Sequence, residues 1–273
     1  MTTVTDRTTE TAVRPMISRV ASLAKAELRM LMRNRTAITN VVLMPLVMLG
    51  VLASIGGLKG SKTGFGNSIL IAGVVIAIAY VVYYNLVTTY VARRESYVLK
   101  RMRTGPVSDL GVIIATSVPS AVLALLQIAV VYVALIAFGK APTLVNIVPV
   151  LLAIVLGILA FAGLAIISTG FTRTAETAQI TTLPVVMITM GLSGMFFPLS
   201  LLPDVLGHVA YLTPGGAMVE MLNLGLAGID RGGAQLAMGE TWTAMLKPTL
   251  VLIIWAGLGA SYLRRQFQWE PRR

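Results

Sequence analysis

The 273-residue sequence contains no cysteine and a single histidine, His208. Without cysteine there is no disulfide framework, no thiol chemistry and no thiolate metal site, and one histidine cannot build a metal cluster alone. Charge is scarce as well: Asp, Glu, Lys and Arg make up 12% of the residues, about half of what a soluble domain carries. No Gly-x-x-x-x-Gly-Lys-Ser/Thr loop is present, which excludes ATP binding in the P-loop manner. No expected membrane span carries an ionisable residue at its middle, which argues against an ion-coupled carrier or pump. The acids Asp204, Glu220, Asp230 and Glu240 are too scattered to suggest a shared site, so no catalysis is expected within the chain. Neither an internal repeat nor a soluble domain is evident.

What the chain has is apolar length. Hydrophobic residues make up 56% of it, in recurring runs of about 18 or more, each long enough to cross the roughly 30 Å hydrocarbon core. Six spans are read at Ile38–Ile55, Ser68–Ala92, Leu110–Phe138, Ile147–Phe171, Ile180–Phe197 and Pro248–Leu263. Each must be helical, because lipid offers no partner to an unpaired backbone group. The fold class is therefore an all-α integral membrane protein with six transmembrane helices.

An even number of spans places both termini on one side. All but five of the 22 Lys+Arg fall on that side, the exceptions being Lys59, Lys62, Lys140, Arg231 and Lys247. Basic residues accumulate in cytoplasmic loops, so both termini are expected in the cytoplasm. The same rule accounts for the net charge of +11, which in a soluble protein would suggest a nucleic-acid partner; none is expected here.

Outside the spans, residues 1–15 are polar and Thr-rich, with no apolar signal-peptide core, and read as a disordered tail. Residues 16–35 place Ile17, Val20, Ala21, Ala24, Leu28 and Leu31 on one helical face, with Arg19, Arg29 and Arg33 opposite. That pattern suits an amphipathic helix in the cytoplasmic interface, although it would also serve as a simple positive anchor. Residues 36–266 form the membrane domain and 267–273 a cytoplasmic tail. The connection 198–247 is long, apolar and punctuated by Pro and Gly. Pro203 can start one short helix, and Thr213-Pro214 reads as an N-cap and N1 proline for another. Short helices re-entering the outer leaflet are expected there, the alternative being an ordinary outer loop.

Two constellations carry functional readings. Between spans two and three, residues 93–106 hold five cations and one acid. On a single helix, Glu95, Val98, Leu99 and Met102 share a face, while Arg94, Tyr97 and Arg101 cluster on another. An apolar ridge beside one acid would fit a groove on a soluble partner, with Lys100 and the arginines at its rim. A loop that only fixes topology is the alternative, and it leaves Glu95 unexplained. Gly105-Pro106 stops this helix and Ser108 caps the next. Within the membrane, Tyr80, Tyr83, Tyr84, Asn85, Thr88 and Thr89 interrupt the second span, and Asn85 should seek a partner on another helix. Thr189, Met190 and Ser193 give the fifth span a soft, mixed face. These residues either line a substrate route or serve as interhelical packing.

Together these features resemble the type-2 ABC transporter permeases, the membrane subunits of drug, lipid and polysaccharide exporters. One similar motif is Arg94-Glu95 followed by Leu99-Lys100-Arg101 and Pro106, like the family's charged coupling helix. The other is Ser193-Gly194-Met195-Phe196-Phe197-Pro198-Leu199 with Leu202-Pro203, like its Ser-Gly-x-x-Phe-Pro segment at the end of the fifth span. Phe267-Gln268-Trp269-Glu270 is a weaker likeness, and Ser96-Tyr97 stands where the family often has Gly and Thr. The likeness covers residues 16 to 270. It implies that Arg94, Glu95, Val98, Leu99, Lys100, Arg101, Met102 and Pro106 couple to a separate ABC ATPase subunit. That subunit would bind ATP and Mg, while this chain would bind no cofactor. It also implies pairing with a second permease copy, identical or paralogous, in a bacterial inner membrane. Substrate would pass along Tyr80, Tyr84, Asn85, Thr88, Thr189, Met190 and Ser193, with Gly194, Phe197, Pro198 and Pro203 as a structural motif. The compact size is most similar to the daunorubicin-resistance branch, implying export of an amphipathic drug, antibiotic or lipid-like molecule. Glycan export and a non-transporting scaffold are the alternatives.

Overall fold

One helix sits inside the others. In the computed structural model, which describes residues 16–33, 35–54, 63–105, 107–193 and 203–270, residues Phe65–Glu95 form a continuous helix whose apolar stretch is 83% buried. It consists of α3 (Phe65–Ile76), a π-helical stretch (Ala77–Tyr84) and α4 (Asn85–Glu95). At about 1.5 Å per residue, its 31 residues reach up to about 46 Å, more than the roughly 30 Å of hydrocarbon.

The remaining helices are α1 (Met16–Arg33), α2 (Arg35–Ser54), α5 (Val98–Arg103), α6 (Asp109–Ala137), α7 (Ile147–Thr169), α8 (Ala175–Gly191), α9 (Asp204–Leu212), α10 (Pro214–Ala227), α11 (Met238–Ala244) and α12 (Leu246–Gln266). No strand occurs among the described residues, only one isolated bridge between Ile229 and Gln235. Four helices are long and apolar enough to cross a membrane by length and composition: Phe65–Glu95, Asp109–Ala137, Ile147–Thr169 and Met238–Gln266. They coincide with the second, third, fourth and sixth expected spans. The first expected span falls on α2, whose short apolar part is Pro45–Ser54, and the fifth on α8. Its last residues, 194–197, lie outside the described residues, as do residues 1–15, Pro106 and the motif residues Gly194, Phe197 and Pro198.

Local chemistry fixes where these helices start. The Ser108 hydroxyl accepts from Gly111 N–H at the head of α6, and the Thr213 hydroxyl from Gly216 N–H at the head of α10, where Pro214 takes the first helical position. Asn146 caps α7 and Thr174 caps α8 in the same way. Where α7 crosses α12, both backbones come into contact. A Cβ on Gly163 would stand 3.2 Å from Gly259 Cα, and one on Gly259 would run into the Gly163 backbone. Small residues at such crossings let helices in lipid gain dispersion contacts that apolar burial alone does not supply there.

The connection after α8 contains the two expected short helices, α9 and α10. α10 is packed inside the fold against α7, α12 and α3, with Leu222 and Met218 fully buried.

The two ends of the molecule are chemically distinct. At one end, Asn67 donates to Thr143, Thr143 donates to the Leu226 carbonyl, and Asn146 donates to Thr241. At the other end lie α1, the α4–α5 corner, the α7–α8 connection and residues 267–270.

α1 keeps Val20, Ala24 and Leu28 of its expected face half-buried, with one departure. Ala21 is exposed, and the most buried of its described residues is the acid Glu27. The helix packs along α6, where a Cβ on Gly111 would touch Val20. Its inner face, which includes Val20, Ala24, Glu27 and Leu28, is shaped by the cation Glu27 meets and not by apolar burial alone.

Candidate functional site: the charged corner after the central helix

Residues 93–103 do not form the single helix that their spacing predicts. α4 ends at Glu95, the chain turns at Ser96-Tyr97, and α5 begins at Val98. Tyr97 has φ 57°, the one positive φ outside glycine among the described residues. The break rotates α5 relative to α4, so Glu95 no longer shares a face with Leu99 and Met102. Leu99 is fully buried, and Met102 packs half-buried against the same core. The expected apolar ridge therefore faces the protein. The outward surface of the corner is formed by Glu95, Ser96, Tyr97, Lys100, Arg101 and Arg103, with Val98 half-buried.

Arg93, Arg94 and Glu95 tie this corner to four other helices. Arg93 donates to both carboxylate oxygens of Glu27 on α1, at 2.6 and 2.5 Å, and to Thr116 on α6. Arg94 is buried, at 1% exposure, and donates to the carbonyls of Thr169, Thr172 and Arg173, where α7 ends. Glu95 accepts from Ala175 N–H, 2.9 Å away, where α8 begins. A cation thus meets the carbonyl end of one helix and an anion the amide end of the next, both favoured by the helix dipole. Neighbouring residues of α4 therefore bracket the α7–α8 connection. This position gives Glu95 a role that a purely topological loop lacks.

The far end of the chain closes over α5. Phe267 packs edge-on against Tyr90 and Trp269, Arg103 lies over the Trp269 ring, and Lys100 pairs with Glu270 at 2.9 Å. Arg103 also pairs with Asp109. Sequence reasoning missed both Glu27 and this closure. Glu27 left one signal: it lies seven residues after Val20 on the apolar stripe of α1, where an acid requires a cation.

The expected membrane-facing residues fall into two groups. Tyr80 and Tyr84 stack with ring centroids 4.9 Å apart and, with Asn85 and Thr88, form a half-exposed stripe on the otherwise buried central helix. Asn85 finds the expected partner, donating to Ser120 of α6 at 2.9 Å. Thr88 bonds back to its own helix through the carbonyls of Tyr84 and Asn85. Thr189, Met190 and Ser193 of the α8 segment are buried within the chain. Thr189 lies under α10, touching the position a Cβ on Gly215 would take, and the Ser193 hydroxyl donates to the Met190 carbonyl. α8 packs against α4 and the π-helical stretch of the same chain. Pro203, from the expected motif, is exposed and immediately precedes α9.

The model of the family described as "ABC-2 family transporter protein" matches residues 31–260, most of the chain. Among curated proteins, none matches.

Proposed function

The chain belongs to the ABC-2 family of transporter proteins and is the membrane permease component of an ABC transporter, and on that footing we propose that it exports an amphipathic small molecule, with ATP hydrolysed by a separate subunit. The observation that carries the coupling half of this reading is the bracket made by Arg94 and Glu95. A force applied to α5 passes through two adjacent side chains to the end of α7 and the start of α8. The same force reaches α1 through Arg93–Glu27 and the end of α12 through residues 267–270. A surface corner whose side chains reach α1, α7, α8 and the segment after α12 is suited to receiving a stroke from an ATPase that closes on ATP.

The transport half rests on the stripe of Tyr80, Tyr84, Asn85 and Thr88. Stacked phenols beside an amide and a hydroxyl offer apolar area with a few hydrogen bonds, which suits an amphipathic ligand. The route lies between two permease copies, each with six spans, both termini in the cytoplasm and the α9–α10 segment dipping into the outer leaflet. The buried Thr189, Met190 and Ser193 hold α8 against α10 beside that route.

Reconstitution of the chain with an ABC ATPase in proteoliposomes tests this reading. ATP-dependent movement of an amphipathic dye such as daunorubicin, absent with a non-hydrolysable analogue, is the expected result. Stimulated ATP hydrolysis without dye movement would shift the substrate toward glycans. Neither hydrolysis nor flux would leave a scaffold.

A further inference from the structure

Gln127 is a polar side chain with nothing to bond. It lies on α6, close to the middle of the Asp109–Ala137 helix, and is 3% exposed. Its Oε1 is fully buried and accepts no hydrogen bond. Buried polar atoms are rarely left this way, and in lipid no bulk water can stand in. Its neighbour across the helix pair can be located. Asn85 donates to Ser120, and a Cβ on Gly73 would stand 3.2 Å from Val131, so α6 and the central helix run antiparallel with a fixed register. Gln127 follows Ser120 by seven residues and precedes Val131 by four, which keeps all three on one face. The same register sets Gln127 opposite the start of the π-helical stretch Ala77–Tyr84, where Ala77 and Ala79 cover the backbone only thinly.

That stretch is a second irregularity at the same depth. π-Helical turns inside α-helices are mostly single turns and are frequent at functional sites, and this one runs for eight residues. The helix is clamped on both sides of it. On one side Asn67 donates to Thr143, and Gly73 is closed in by Val131 and Leu49. On the other, Asn85 holds Ser120, Tyr90 holds Ser117, and Arg93 and Arg94 hold α1 and the end of α7. Within the stretch, among the described residues, only Tyr83 hydrogen-bonds another helix, to Ser168 at 3.0 Å. A twist of one clamped half against the other therefore concentrates in Ala77–Tyr84.

We propose that Ala77–Tyr84 is the twist point of the transport cycle, exchanging π for α hydrogen bonding when the corner is driven. Gln127 is the spare acceptor for backbone N–H groups of the central helix while they change partners. Freed backbone groups in a membrane need such a stand-in from a neighbouring helix. The proposal rests on the permease reading above and adds where the stroke becomes a movement of the route. Tyr80 and Tyr84 lie on the stretch itself, and a change of one residue in register turns a helical side chain by about 100°.

The test uses the full chain in proteoliposomes with the ABC ATPase that supports wild-type dye transport. Gln127→Met keeps the volume and removes the amide. It should melt no lower than wild type, because no bond is lost, yet its maximal ATP-driven rate should fall about tenfold with the half-saturating dye concentration unchanged. In wild type, backbone hydrogen exchange over residues 77–84 should quicken during ATP turnover, and that difference should vanish in Gln127→Met. A lower melting temperature would show a static bond, and a raised half-saturating concentration at full maximal rate would show a dye contact; either overturns the proposal. So does a wild-type maximal rate in the variant, or exchange over 77–84 that ATP does not change in wild type or still changes in Gln127→Met. A wild-type chain that moves no dye with any ABC ATPase defeats the permease reading itself, before any effect of residue 127 is measured.

Discussion

Arg93 and Glu27, far apart in sequence, meet through two parallel hydrogen bonds that pin α1 to the end of the central helix. Glu27 is 4% exposed, so its charge is compensated by this contact and not by water. Removing one partner of a buried pair strands the other and typically costs about 3 kcal/mol or more. Glu27→Ala should lower the melting temperature of the detergent-solubilised protein by several degrees. The double variant Glu27→Ala/Arg93→Ala should be less damaged than the two single losses together, since the second change removes the stranded charge. Additive losses in that cycle would mean the pair contributes no coupling.

Arg94 and Glu95 should separate in magnitude. Glu95 caps an exposed helix start, and its replacement by Ala should cost about 1 kcal/mol of stability. Arg94→Ala leaves the carbonyls of Thr169, Thr172 and Arg173 without their buried donor and should cost several times more; Arg94→Lys should not restore it, because a point charge cannot span three acceptors. If the bracket transmits force, Glu95→Ala also loses ATP-driven transport while the protein stays folded and inserted. Normal transport by this variant would confine Glu95 to capping.

The half-exposed stripe and the buried α8 residues should behave differently. Tyr84→Ala is expected to change which compounds are exported, with basal ATPase activity and assembly preserved. Met190→Ala removes a buried side chain and should lower thermal stability by about 2 kcal/mol or more. Its selectivity per assembled complex should not change. A selectivity change in Met190→Ala with unaltered stability would reverse this division.

The α7–α12 crossing leaves no room for a side chain. Gly259→Leu should force the two helices apart and cost about 3 kcal/mol or more, read as lost monodispersity and a lower melting temperature; Gly257→Leu, at a position with nothing within 4 Å, should be tolerated.

Much of the fold was readable because lipid imposes length and polarity so strictly. Asp109–Ala137 and Ile147–Thr169 begin and end within two residues of expectation, and Ser108 and Thr213-Pro214 cap where their side chains predict. Asn85 was legible as a residue in need of a partner, though not which one. The corner at Ser96-Tyr97 was not legible, because neither residue is a glycine and periodicity carries across the break. That single turn reversed the reading of Leu99 and Met102 from contact surface to core. The membrane-facing list mixed two environments for a related reason: spacing gives the face of a helix, but only the packing of α10 over Thr189 decides whether that face is open.

The closure of residues 267–270 over α5 also has a consequence for biosynthesis. The corner is synthesised early, but Lys100 and Arg103 meet Glu270 and Trp269 only after α12 has been made. A ribosome-bound intermediate therefore presents this surface unfinished, with the flank of α5 and the Tyr90 ring lacking their cover. An ATPase that recognises the finished surface would discriminate against truncated chains, so that assembly itself acts as proofreading.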